Sequence, residues 1–231
     1  MNSVVPIIPS LEPDNKLTLL VNNLVAAGYK KILVVDDGSK DKRIFNKLGR
    51  KKEVVILTHE RNKGKGEALK TAFRYYKRYL TKKHIGVICL DSDGQHKTND
   101  VLNISKILCR EDKFILGTRL FNTRSTPLRN KFGNRLTSML FKMIYKVYIK
   151  DTQTGLRAIP NRLIDMHLNT SGSRFEYELN VLINLIKLNE EIKEVDIKTV
   201  YLEDSNKHSH FDPIKDSYRV YKVLFGGKRN I

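Results

Sequence analysis

Cysteine is scarce. The 231 residues hold two, Cys89 and Cys109, without CxxC spacing, which excludes a disulfide framework and implies no oxidising compartment. No apolar run approaches the ~18 residues that a spanning helix needs, and no charged-then-apolar leader opens the chain. Internal repeats, low-complexity tracts and Pro/Gly/Ser linkers are also missing. Carboxylates are few beside the bases: Asp+Glu 25 against Lys+Arg 43 leaves a net charge of +18. Such an excess attracts polyanions, whether nucleic acid, anionic headgroups or phosphorylated substrates, and does not choose among them. What remains is globular, with 40% hydrophobic and 29% charged residues, 13 Gly and 6 Pro; collagen-like and disordered classes are ruled out. The expectation is a soluble, cytosolic domain of enzyme size.

Short β-rich runs alternate with amphipathic stretches over the first half. Strands are expected at Val4–Ile8, Lys31–Val35, Glu53–Leu57, Ile85–Leu90 and Phe114–Gly117, with helices near Asp14–Ala27, Glu67–Leu80 and Asn99–Cys109. Pro6 removes a ladder donor inside the first run, which counts against it as a strand. The alternation predicts an α/β fold, a mainly parallel sheet with helices on both faces. In the second half, Lys131–Ile149 and Phe175–Leu188 read as helices and Glu194–Tyr201 alternates as a strand. Asp212-Pro213 then caps a last helix that ends near Gly226-Gly227.

Ligands of open α/β sheets sit beyond the carboxyl ends of the strands, and two of those ends carry paired carboxylates. In Asp91-Ser92-Asp93-Gly94-Gln95 the two aspartates straddle one residue, so in an extended segment both side chains leave from the same side. Hard oxygens placed so can hold a divalent cation that stays partly hydrated and binds substrate phosphates, with Gln95 offering a third oxygen. Carboxylates at strand ends also simply cap the next helix. His96 reads as a surface residue or one beside such a site rather than a ligand. Asp36-Asp37-Gly38-Ser39 can accept hydrogen bonds from a base or ribose, or serve as ordinary turn chemistry. Asn62-Lys63-Gly64-Lys65-Gly66 opens a helix in a way that suits an anion, but it has neither P-loop nor dinucleotide spacing.

In order, Pro9-Ser10-Leu11, Val35-Asp36-Asp37-Gly38-Ser39, Asn62-Lys63-Gly64-Lys65-Gly66, Asp91-Ser92-Asp93-Gly94-Gln95-His96 and Gly117-Thr118-Arg119 resemble a family-2 glycosyltransferase with the GT-A fold. Asp151-Thr152-Gln153-Thr154-Gly155-Leu156-Arg157 and Phe175-Glu176-Tyr177-Glu178 are similar to the branch that glycosylates polyprenyl and dolichyl phosphates. The resemblance spans about residues 4–225 and implies one catalytic domain, with a nucleotide-sugar and metal half at 1–120 and an acceptor half at 121–231. It places Pro9, Leu11 and Asp37 in the nucleoside site with Lys65 near it. Asp91, Asp93 and Gln95 would hold Mg²⁺ or Mn²⁺ against the diphosphate, with Asp91 also facing the donor. Arg119 and Arg129 fall on basic positions near the phosphates, and Asp151 on a catalytic or acceptor-positioning acid. Glu12-Pro13 departs from the usual Asn-Glu. Asp204 stands where the mannose-synthase branch has an arginine, and Ser209-His210-Phe211 is closer to the bacterial branch. These departures favour a UDP-sugar donor and make His210 a phosphate or metal-site residue, or else a loop histidine.

The implied activity is inverting sugar transfer from a nucleotide-sugar to a polyprenyl phosphate. From Lys113 to Lys150 there are nine Lys/Arg and no Asp/Glu. On one helical arc lie Phe132, Leu136, Met139, Leu140, Met143, Ile144 and Val147, bordered by Lys131, Arg135, Lys142 and Lys146, with Phe141, Tyr145 and Tyr148 nearby. Such a face either lies in an anionic headgroup layer or docks on its own domain. The first option, with the resemblance, implies peripheral attachment to the inner face of the cell membrane. Many relatives in this branch carry transmembrane helices after the catalytic domain, so the expectation is either that this chain has none or that a separate membrane protein partners it. A cell-wall or surface glycan is the rival acceptor. A nucleic-acid partner is not expected, because no helix-turn-helix, zinc-finger or RNP-like signature accompanies the charge.

Overall fold

The structure, a computed structural model, describes residues 3–119, 128–198, 219, 222–224 and 226, with side chains from 134 onward in the second stretch. Seven strands form one sheet: β1 (Val4–Ser10), β2 (Ile32–Asp36), β3 (Val54–Thr58), β4 (Gly86–Cys89), β5 (Phe114–Arg119), β6 (Arg157–Pro160) and β7 (Ile192–Ile197). Their spatial order is β3-β2-β1-β4-β6-β5-β7. All pairings are parallel except those of β6, which runs antiparallel between β4 and β5. Pro6 sits inside central β1 opposite Ile88. Pairing with β2 starts one residue later, at Ile7↔Leu33, so the missing N–H falls before that ladder.

Period-two alternation sends each strand's side chains to two separate cores. Val5, Ile7, Leu33, Val35, Val87 and Leu116 enter one, where α3 (Lys65–Tyr79), α5 (Leu128–Tyr145), α6 (Ile164–Asn169) and α7 (Glu176–Lys187) pack. Val4, Ile8, Ile32, Val34, Ile88 and Ile115 enter the other, under α1 (Asn15–Ala26), α2 (Arg43–Leu48) and α4 (Thr98–Glu111). This is the α/β layering expected. Asp14 caps α1 by accepting from Lys16 N at 2.8 Å, leaving the helix one residue shorter at each end than its apolar pattern. Three elements were not expected: α2, β6 and α6. Each spans six residues or fewer, too short for a periodic signal, and β6 carries Arg157 and Pro160 in a run otherwise apolar.

Two expectations about the second half need correcting. α5 stops at Tyr145 rather than Ile149, because Lys146 takes a left-handed φ of 61° and turns the chain. Its apolar arc divides, with Leu140 and Ile144 packed against the core. Asn134, Thr137, Ser138, Phe141 and Tyr145 are the buried positions, while Leu136, Met139 and Met143 are 48%, 58% and 60% exposed. The strand expected at Glu194–Tyr201 begins earlier, at Ile192. Residues 199–218 lie outside the described residues, and with them Asp204, His210 and the Asp212-Pro213 cap. Arg219, 222–224 and Gly226 are helical.

His167 of α6 is buried against Phe73 and Phe114, with ring centroids 5.5 and 6.0 Å away. Its Nδ1 donates to the Leu163 carbonyl at 2.8 Å, and Nε2 has no partner among the described residues. Burial lowers its pKa from 6.5 to about 4, against the Leu163 bond and with help from Arg157. A histidine held neutral in the fold contributes stability that is complete above pH 6.5 and lost as pH falls toward 4. The loss amounts to about 3 kcal/mol. Urea unfolding of wild type and His167→Leu at pH 7 and pH 4.5 should therefore diverge, the variant lacking most of that acid-induced loss. Identical pH dependence in the two proteins contradicts this.

Candidate active site

Strand order reverses between β1 and β4, and ligands of open α/β sheets bind at such a reversal, outside the carboxyl ends. Leu11-Glu12 after β1 and Asp91–Gln95 after β4 flank that point. Pro9 is buried within β1, opposite Val35. Glu12 is fastened to the next loop: its N–H donates to Ser39 Oγ at 2.8 Å, and its Oε1 accepts from Lys40 N at 2.6 Å.

The carboxylates after β2 are taken up by their own chain. Asp36 accepts from Ser39 N at 2.8 Å and pairs with Lys42. Asp37 Oδ1 receives His59 Nδ1 at 2.7 Å and Lys63 N at 2.9 Å, and its Oδ2 receives Gly64 N at 2.8 Å. Asp37 thus acts as a strut under the 62–64 backbone. Gly38 is needed there, since at φ 83° a Cβ would lie 2.3 Å from the Arg61 carbonyl carbon.

After β4 the arrangement differs. Asp91 Oδ1 accepts from Lys65 Nζ at 2.7 Å, and Oδ2 lies 3.3 Å from His96 Nε2. Burial raises the Asp91 pKa, but Lys65 and His96 outweigh it and hold the group below the usual carboxylate range. Asp93 accepts from Gln95 N at 3.0 Å, and burial, then the neighbouring Asp91 charge, push its pKa up. Two acids repelling one another here make a pair of hard-oxygen donors that a divalent cation would relieve. Among the described residues no cluster of three or more His, Cys, Asp or Glu is placed to hold a metal ion. Such an ion would therefore keep waters or share oxygens with a phosphate.

The 150–155 loop comes close. Gly155 packs so tightly on Asp91 that a Cβ would stand 2.3 Å from Oδ2. Four residues earlier, fully buried Asp151 receives Arg119 Nε at 2.7 Å and Nη2 at 3.0 Å, a two-pronged pair, and Gln153 N at 3.2 Å. Asn134 of α5 donates to Lys150 O at 2.9 Å and accepts from Thr152 N at 3.2 Å, so the helix's polar face grips the same loop.

A model of glycosyl transferase family 2 matches residues 7–172. The chain belongs to that family. It is 31% identical over 219 residues to a UDP-N-acetylglucosamine–dolichyl-phosphate N-acetylglucosaminyltransferase of Methanococcus voltae, covering 86% of each chain. It is 25% identical over 179 residues to a dolichyl-phosphate beta-glucosyltransferase of Trichomonas vaginalis, covering 72% of this chain and 53% of that one. Glucosyl-3-phosphoglycerate synthase from Mycobacterium tuberculosis, solved with Mn²⁺, UDP and phosphoglyceric acid, superposes with a TM-score of 0.66 at 15% identity, over 98% of this chain and 77% of that one. The fold is that of GT-A glycosyltransferases.

In this glycosyltransferase the described site residues other than Pro9, Leu11 and Asp37 fall into two groups. Asp91, Asp93, Gln95, Lys65 and Gly155 meet at the strand reversal, and Asp151 with Arg119 lies along the same loop as Gly155. Lys65, expected near the nucleoside, bridges Asp91 and Glu178 Oε2, the latter at 2.9 Å. Arg129 lies in the first turn of α5, its side chain outside the described residues, as is His210. Sequence reasoning gave no role to Arg157 and Glu178. The signal was present: Glu178, Leu182 and Leu185 share a helical face at i, i+4, i+7, and an acid on an apolar face marks a buried partner. The glycines of Asn62–Gly66 serve packing: a Cβ on Gly64 would lie 2.5 Å from Ser173 O, and one on Gly66 2.7 Å from Tyr177 Cβ.

Gly155→Ala pushes against a carboxylate already held by Lys65 and His96. A displacement of about 1 Å in a reacting constellation costs about a hundredfold in rate. The variant should keep a melting temperature near wild type and lose sugar transfer by about that factor. Wild-type turnover would show that Asp91 is not part of the site.

Proposed function

We propose that this glycosyltransferase moves a sugar from a UDP-sugar to a polyprenyl phosphate at a membrane surface, with inversion at the anomeric carbon. The observation that carries the reading is the placement of Asp91 and Asp93 at the reversal of strand order, pressed upon by the loop that bears Asp151. The donor and acceptor named for the Methanococcus voltae relative support the choice of UDP-sugar and lipid phosphate. Asp91, Asp93 and Gln95 would hold a Mg²⁺ or Mn²⁺ ion, with His210 a further candidate. When bound, that ion supplies positive charge against the diphosphate as the sugar bond breaks, where it stabilises the transition state more than the ground state.

The chain's own residues do the rest. Asp37 fixes the 62–64 backbone beside the nucleoside, which Pro9 and Leu11 line. Arg119 holds Asp151 through two bonds, so Asp151 is set to orient the acceptor rather than to strip a proton from it. Little stripping is needed, because a phosphate monoester has a second pKa of about 6 and is mostly an oxyanion at neutral pH. Arg129 adds a cation for the phosphates. In this reading residues 1–120 serve the donor and 121–231 the acceptor.

Membrane attachment is proposed on α5. Its polar face is spent on the 150–153 loop, while Leu136, Met139 and Met143 stand outward beside exposed Arg135, Lys142 and Lys146. An outward apolar stripe rimmed by cations suits the headgroup boundary of an anionic leaflet. No helix among the described residues is long and apolar enough to cross a membrane.

Incubation with labelled UDP-N-acetylglucosamine, a polyprenyl phosphate and Mn²⁺ should send label into the organic phase. Asp93→Asn should cut that transfer by about a hundredfold or more, the equivalent of several kcal/mol of lost charge stabilisation. Label confined to a water-soluble glycan would contradict the lipid acceptor. Flotation with anionic liposomes should carry the wild type upward and leave Met139→Glu/Met143→Glu at the bottom of the gradient; equal flotation of both rejects the α5 docking face.

A further inference from the structure

Glu178 lies in the first turn of α7, almost fully buried, with a role that neither its helix nor the catalytic reading above requires. Its Oε2 is 2.9 Å from Lys65 Nζ. Its Oε1 accepts no hydrogen bond among the described residues and lies 3.7 Å from Arg157 Nε. A buried carboxylate left partly unsatisfied is expensive as a stability device. Arg157 in turn is committed to three carbonyls: Nε donates to Thr154 O at 2.9 Å, Nη2 to Thr152 O at 3.2 Å, and Nη1 to Glu178 O at 2.6 Å. One chain of charges, Asp91–Lys65–Glu178–Arg157, therefore runs from the end of β4 to the loop that holds Asp151.

The ammonium of Lys65 sits 2.7 Å from Asp91 Oδ1 and 2.9 Å from Glu178 Oε2, shared nearly evenly between them. An ammonium given wholly to Asp91 would occupy the carboxylate that a divalent cation needs. A second anion draws it aside without removing it from the site. We infer that Glu178 is a positioning residue of the donor site: by sharing Lys65 it lets a divalent cation displace that ammonium from Asp91, and through Arg157 it fixes the acceptor-side loop over that same carboxylate. This rests on the reading of Asp91 and Asp93 as the cation's ligands.

The test is direct Mn²⁺ binding in the presence of UDP, followed by the electron paramagnetic resonance signal of the free ion. Glu178→Gln should weaken Mn²⁺ binding about tenfold, the scale of an outer partner lost from a ligating group. Adding Lys65→Met to Glu178→Gln should restore binding toward wild type, because the competing ammonium is gone; Glu178→Asp should fall between. A purely structural role would instead lower the melting temperature and leave Mn²⁺ affinity unchanged, or weaken it equally with and without Lys65, and either result overturns the inference. Should Glu178→Gln unfold, Lys65→Met alone decides: it is expected to bind Mn²⁺ no more weakly than wild type, and weaker binding overturns the inference. Wild-type protein that binds no Mn²⁺ with UDP sinks the donor-site reading as well, whereas wild-type binding that Glu178→Gln leaves untouched sinks the role of Glu178 alone.

Discussion

One ammonium group, that of Lys65, holds the end of β4 to the start of α7. Burial works against its charge, but Asp91 and Glu178 outweigh that cost and raise its pKa. For the three charges to meet, the first turn of α3 has to press against the 172–177 segment, and Gly64 and Gly66 are there because any side chain would strike Ser173 or Tyr177. Gly155 answers the same demand from the opposite side, where the Asp151 loop closes on Asp91. Close packing of this kind leaves a polar site with few ways to rearrange. Asp91 and the loop that bears Asp151 are thereby placed by one set of contacts rather than two.

Much of this architecture was legible. The apolar runs ending in Asp36-Asp37 and Asp91-Ser92-Asp93 mark parallel strands with acids at their carboxyl ends, and the sheet puts both where a doubly wound fold binds ligands. Legibility failed where an element is short or where its meaning depends on a distant partner. β6 could not be read from Arg157-Ala158-Ile159-Pro160, because four residues carry no period and its antiparallel insertion is decided by the neighbours β4 and β5. The Asn62–Gly66 glycines looked like an anion cradle; only the fold reveals Ser173 lying against them. Arg157 and Glu178 were visible as charges inside apolar patterns, but pairing across 21 residues is a tertiary fact.

α5 shows how far helical periodicity can be trusted. Its apolar arc is real and splits: Leu140 and Ile144 pack against the core beside buried Asn134, Thr137, Ser138, Phe141 and Tyr145. The reason is local demand: the backbone of the 150–153 loop offers carbonyl and amide groups that need partners when buried, and α5 supplies them. With the polar side so used, Leu136, Met139 and Met143 have nowhere to go but outward, and a hydrophobic stripe beside cations becomes a surface feature. One helix thus turns one face to the 150–153 loop and leaves an apolar stripe exposed on the other.

The central claim is that Asp91 and Asp93 together hold a divalent cation against the departing nucleotide. Its most direct test is a crystal soaked with UDP and manganese, with diffraction data collected at the manganese absorption edge. The account predicts an anomalous peak within coordination distance of both carboxylates, contiguous with the diphosphate. Well-ordered UDP in the crevice with no such peak between the two side chains would contradict it.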